Sequence, residues 1–192
     1  MRGRQLAAAV VTALLTGCAG DARAADIAPA AEPAAPVTGR FPSPDGRLVA
    51  EITAGQEKRP GGAQVLITTA AGRRLLRGDY ASGESAERLD ILWARWTPDS
   101  AFFVFSATSA DGHQPWRFPV LFYSREANAV RRLEDFSGGL STTDPAFRIL
   151  APDIVEVVGQ KAIGGPRETR AFSLSGLLSG RGKGRPARRP SR

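Results

Sequence analysis

Few side chains in this sequence are equipped for chemistry. The chain has one His, His113, and one Cys, Cys18. A single Cys excludes an internal disulfide and a thiolate metal cluster. His113 lies two residues from Asp111, but no nucleophile is set for it. Ser82, Ser85 and Ser137 sit near glycines without forming a Gly-x-Ser-x-Gly elbow. The acids Asp79, Glu84, Glu87, Glu134, Asp135 and Asp144 lack the dense spacing of a calcium loop. Gly164-Gly165-Pro166 is followed by no Lys-Ser/Thr pair, so it reads as a turn and not a phosphate cradle. The expectation is a non-catalytic protein with no metal and no cofactor. Binding chemistry remains, carried by Lys58, Arg59, His113, Trp116, Arg117 and Lys161. Trp116 stands between Pro115 and Arg117, and an aromatic beside a guanidinium is a frequent interaction hot spot. A large aromatic near a sheet end is more often packing, so the favoured expectation for Trp116 is a plug that seals the end of the sheets.

The elements that must position these residues follow a repeat. Ser43-Pro44-Asp45-Gly46, Thr97-Pro98-Asp99-Ser100 and Ala151-Pro152-Asp153-Ile154 place their prolines 54 residues apart. Proline presets φ in a tight turn, and Asp bonds back to the backbone. An apolar run follows each copy: Leu48 to Ile52, Phe102 to Phe105, Ile154 to Val158. The first run alternates with period two, as a half-buried strand does. Phe102-Phe103-Val104-Phe105 is apolar on both faces, which predicts a central strand. Further strands are expected at Val65 to Thr69, Val120 to Tyr123 and Ala171 to Leu174, each following a long loop. Arg73-Arg74-Leu75 and Arg131-Arg132-Leu133 open a third strand, and Ile91 to Trp96 and Phe147 to Leu150 form a fourth. Trp93 and Trp96 fall on opposite faces of theirs. The fold class is therefore all-β, an antiparallel meander of about ten strands in units of one repeat period. Long loops then gather at one end and tight turns at the other. The long-loop end holds the candidate binding residues.

These units resemble the TolB-type, WD40-like β-propeller repeat. The match is carried by Ser43-Pro44-Asp45-Gly46-Arg47 with its β-run, less closely by Trp96-Thr97-Pro98-Asp99-Ser100, and in degenerate form by Ala151-Pro152-Asp153. The resemblance covers residues 41–178 and implies four-stranded blades and surfaces for contact with envelope proteins. Two and a half blades are too few for a standard closed propeller, which needs at least four. A barrel and two packed sheets are the alternatives.

Outside that body the chain changes character. Residues 1–17 join a basic start to an apolar run, Leu6 to Thr16, that is too short to span a bilayer. The run ends in Leu15-Thr16-Gly17-Cys18, which resembles the lipobox of bacterial lipoproteins. The resemblance implies cleavage after Gly17 and acylation of Cys18, hence a membrane anchor. Ala19, in place of Asp, implies sorting to the outer membrane, facing the periplasm. Residues 18–40 are rich in Ala and Pro and read as a tether. Of 26 Lys and Arg, two lie in the leader and six in the last twelve residues, which leaves the body near neutral against 19 acids. The high pI thus belongs to residues 179–192, a Gly/Pro/Arg-rich tail expected to be disordered. A periplasmic address points that tail at anionic lipid headgroups or acidic glycans, not at nucleic acid. The functional expectation is a membrane-anchored envelope lipoprotein whose β domain contacts another envelope protein. Glycan or small-ligand binding at the long-loop end is the alternative, and an unrecognised hydrolase is a third.

Overall fold

The computed structural model describes residues 35–54, 62–80, 88–110, 116–180 and 185–186. Within them the chain is an antiparallel all-β protein of three sheets. Sheet 1 runs in order through β1 (Gly39–Pro42), β2 (Leu48–Ala54), β3 (Ala63–Thr69) and β4 (Arg74–Asp79). Sheet 2 contains β5 (Leu89–Trp96), β6 (Phe102–Ser109), β7 (Val120–Ser124) and β8 (Ala129–Arg132). A 3-10 turn, Leu133–Phe136, leads out of it. Sheet 3 is built on β11 (Ile154–Gln160), flanked by β12 (Glu168–Ser173). The other flank of β11 is a broken strand. β9 (Ser141–Thr142) pairs with its far end, and β10 (Arg148–Leu150) pairs with its start. A short helix α1, Leu174–Leu178, follows β12, and β13 (Arg185–Pro186) adds to the β12 edge.

The sheets stack, with sheet 2 in the middle. Leu48, Ala50 and Ile52 of β2 and Val65 and Ile67 of β3 meet Phe103, Phe105 and Tyr123 of sheet 2 in one core. Phe102, Val104 and Phe122, on the opposite face, meet Val155, Val157, Phe172 and Leu174 in a second core. β6 is buried on both faces from Phe102 to Ala107, the pattern expected of a central strand. Trp96 is buried and donates its indole N–H to Phe41 O at 2.8 Å, while Trp93 is exposed on the other face. Neither a closed barrel nor a pair of sheets forms among the described residues.

The Pro-Asp turns repeat at the level of single atoms. Ser43 Oγ donates to Asp45 Oδ1 at 2.6 Å and accepts Leu48 N–H at 3.0 Å. Thr97 Oγ1 donates to Asp99 Oδ1 at 2.6 Å and accepts Phe102 N–H at 3.0 Å. The residue closing each turn is left-handed, Gly46 at φ 68° and Ser100 at φ 61°. Glycine takes that conformation freely, and serine takes it at a cost. The third turn departs from the pattern because Ala151 has no hydroxyl. Asp153 is instead buried and accepts Ser175 N–H at 2.8 Å and the Ser173 hydroxyl at 3.2 Å, at the start of α1. The first turn also locks sheet 1 to sheet 2. Asp45 N–H donates to Ser100 Oγ at 3.0 Å, and Arg125 donates to Asp45 Oδ2 at 2.7 Å. The Ser43 hydroxyl first, and then Arg125, hold the Asp45 carboxyl well below the usual carboxylate range.

Two expectations need correction. The strand that ends each 54-residue unit does not complete the sheet before it. It pairs with the strand after the next Pro-Asp turn, as β5 pairs β6 and β10 pairs β11. A turn of a few residues can only join antiparallel neighbours, so the Pro-Asp turn lies inside a sheet and the β4–β5 and β8–β9 connections pass between sheets. The third unit is accordingly a sheet of its own and not half of one. Its last strand, β13, lies within residues 179–192.

Candidate functional site

The long-loop end of sheets 2 and 3 carries a cavity of about 450 Å³. Trp116 and Arg117 reach it from the β6–β7 connection. Glu134 comes from the 3-10 turn, and Gly139, Leu140 and Ser141 from the segment entering β9. Ile163 closes it from the β11–β12 loop. Trp116 is 54% exposed and Ile163 is 87% exposed. They form the rim. Gly138 and Gly139 hold positive φ, 64° and 86°, which turns the chain back so that Leu140 can pack into the second core.

Glu134 is the polar centre of the cavity. Its Oε1 accepts Val120 N–H at 3.2 Å and the Thr142 hydroxyl at 3.3 Å, which ties the 3-10 turn to β7 and β9. Its Oε2 is buried and has no hydrogen-bond partner. Burial pushes the carboxyl above its ordinary value. The Glu134 and Val120 N–H groups, the nearby Arg117 charge and the Thr142 hydroxyl pull it back without cancelling the shift. Arg117 Nε is also buried without a partner. A buried polar atom left unpaired costs about 1–3 kcal/mol, so these two atoms are a local cost of the fold beneath the cavity.

The other candidate residues fare differently. Lys161 is exposed on the β11–β12 loop and does not line the cavity. Lys58, Arg59, His113 and Cys18 lie outside the described residues. Trp116 is not the plug it was expected to be, because more than half of its surface faces solvent. Leu133, Leu140 and Phe147 are buried in the second core. Ser137 is buried, and its hydroxyl lies against Glu134 O at 3.1 Å and Leu140 O at 3.0 Å, so it serves the turn. Among the described residues, no three His, Cys, Asp or Glu side chains converge as a metal site. Sequence reasoning named Glu134 only as part of an acidic loop and passed over Leu140 and Ile163. The one signal for Glu134 was its place directly after the apolar Leu133 that ends the β8 run.

A second, shallower concavity of about 280 Å³ lies on the outer face of sheet 1, between Glu51, Gln64, Leu66, Arg74 and Arg77. These side chains pair across strands, as Arg77 does with Gln64 Oε1 at 3.2 Å, and the feature is sheet surface. No helix among the described residues is long and apolar enough to cross a membrane. No protein-family model matches this chain, and comparison with the curated proteins finds no match.

Proposed function

We propose that this chain is a bacterial envelope lipoprotein, anchored through an acylated Cys18 and held off the membrane by the tether that follows. In this reading its β domain binds another envelope protein and catalyses nothing. The observation that carries the reading is at the loop end. Trp93, Trp116 and Ile163 are the large hydrophobic residues most exposed among those described, and two of them meet at one cavity beside Arg117. Apolar side chains from two separate loops, brought together with a guanidinium, are the composition of an interface centre. The lipobox resemblance and Ala19 support an outer-membrane, periplasm-facing address. The six positive charges of the last twelve residues would add contacts to anionic headgroups or glycans.

A photo-crosslinking residue at position 163, introduced into the full chain in its native envelope, tests this. One dominant protein adduct is expected, and Trp116→Ala should reduce its yield about tenfold or more, as loss of a hot spot does. An adduct unchanged by Trp116→Ala refutes the contact surface. The anchor is tested separately: labelled fatty acid should enter the wild-type chain and not Cys18→Ser, and full labelling of that variant refutes it. A second reading, a glycan or small ligand within the cavity, is favoured by its volume of about 450 Å³ and by the exposed ring of Trp116 at its rim.

A further inference from the structure

The β11–β12 connection holds an apolar residue out in water. Gly165 N–H donates to Ala162 O at 2.9 Å, and Gly164 takes φ 75°. Glycine supplies the positive φ needed at the third position of such a turn, which leaves the residue before it at the corner. That residue is Ile163, 87% exposed. The legs of this hairpin are β11 and β12, paired as far as Gly159 opposite Glu168. Beyond that pair come Gln160 and Lys161 on one leg and Arg167 on the other. Lys161 and Arg167 thus flank the apolar tip from both sides. Both are exposed, and neither forms an ion pair among the described residues.

The charge around the cavity is one-sided as well. Arg117 lines it. Of the acids on the 3-10 turn, Glu134 faces inward. Its Oε1 is held by Val120 N–H and the Thr142 hydroxyl, and its Oε2 is closed to solvent. Asp135 is left as the exposed acid of that turn. Cations therefore dominate around two exposed apolar groups, Trp116 and Ile163. A lone surface cation is ordinarily solvated, but Lys161 and Arg167 bracket a side chain that only a partner covers. A basic partner segment would be repelled there, and carboxylates would be drawn in.

We propose that the partner presents an acidic segment carrying one large apolar side chain. The apolar side chain enters the cavity between Trp116 and Ile163, and carboxylates beside it meet Lys161 and Arg167. The cavity supplies the anchor, and the flanking cations select and steer the partner. This assignment rests on the protein-contact reading and names the chemistry of the partner.

The test uses the full chain in isolated native envelopes, with the photo-crosslinking residue at position 163. Mass spectrometry of the adduct locates the partner segment, which should hold more Asp and Glu than Lys and Arg. Lys161→Glu combined with Arg167→Glu should cut the adduct yield about tenfold at low salt. The deficit should shrink at high salt as the charges are screened. Lys161→Arg combined with Arg167→Lys keeps both charges and should leave the yield within about twofold of wild type. Both residues are exposed, so the charge-reversed chain should melt within about 1 °C of wild type. If it melts lower, Lys161→Glu alone makes the same comparison, with a loss of about threefold expected. An adduct that falls with Trp116→Ala but not with charge reversal would overturn the acidic partner and leave the protein contact standing. So would an adduct on a segment with no excess of acids. An adduct sensitive to neither change, or one formed on lipid in place of protein, would overturn the protein-contact reading together with this one.

Discussion

Thr97→Val is the sharpest probe of what holds the repeat together. Valine has the shape of threonine, so the change opens no cavity. It deletes one hydroxyl that is fully buried and serves two partners. Phe102 N–H, now bonded to Thr97 Oγ1 at 3.0 Å, is left without an acceptor at the start of the most buried strand. An unsatisfied buried N–H costs about 1–3 kcal/mol. Asp99 Oδ1 loses its 2.6 Å bond from Thr97 but keeps Ala101 N–H at 3.0 Å. Asp99 is exposed, so water replaces the missing donor and adds only about 0.5 kcal/mol. The expected loss is about 2 kcal/mol. In a β domain of about 150 residues that lowers Tm by about 4–8 °C. Thermal unfolding followed by circular dichroism reads this directly, with Thr97→Ser as the control. Serine keeps both bonds and loses one methyl group, about 0.8 kcal/mol. The third turn supplies an internal comparison. Asp153 already has Ser173 and Ser175 as partners, so Ala151→Ser should add no stability. If Thr97→Val melts within about 1 °C of wild type, the hydroxyl bridge is not what closes these turns.

Two further perturbations act at the candidate site. Gly159→Ala should cost about 1–3 kcal/mol in chemical denaturation, because a Cβ there would lie 2.6 Å from Ser141 O and 2.8 Å from Leu140 Cγ. That contact pushes β9 off β11 and distorts the cavity wall, so an alanine variant as stable as wild type would refute the tight packing of the broken strand. For Glu134, the folded-state pKa lies above the ordinary 4.5, so the folded protein holds this proton more tightly than the unfolded chain does. Its contribution is fully present below about pH 4.5 and is lost as pH rises through the raised value. Measured against Glu134→Gln, wild-type stability should therefore fall from acid toward neutral pH. A difference that is flat with pH, or that rises, would mean the carboxyl is not held in a desolvated place.

The strands themselves were legible because their causes are local. Period-two alternation marks β2, and an unbroken apolar run marks β6, whose two buried faces are what a central sheet requires. The Pro-Asp turns were legible for the same reason. A serine or threonine hydroxyl and an aspartate two residues on can close such a turn with no help from the rest of the fold. The phase of the repeat was not legible in the same way. A period of 54 residues marks equivalent positions but not where one sheet stops, and only the length of the connections decides that. β13 left even less trace. Arg185–Pro186 has no apolar pattern, and its pairing with β12 is set by the edge that β12 leaves open.

The site divides along the same line. Trp116 and Arg117 could be picked out because their residue types are costly to expose or to leave idle, wherever the chain places them. Glu134 could not. Beside Asp135 it reads as one of a pair of solvated acids, and a single turn of 3-10 geometry separates their fates. Asp135 stays exposed while Glu134 is turned under Val120 and Thr142. Ile163 is the converse case. It precedes Gly164-Gly165-Pro166 in a turn with no strand pattern, so nothing local asks for an isoleucine there. An 87% exposed isoleucine gains nothing from folding, and the Gly165 N–H to Ala162 O bond of 2.9 Å closes the turn without it. Its apolar surface is used only when something covers it. The same holds for the open face of Trp116. Folding alone leaves both apolar surfaces uncovered at one cavity, and a bound partner is the arrangement that covers them together.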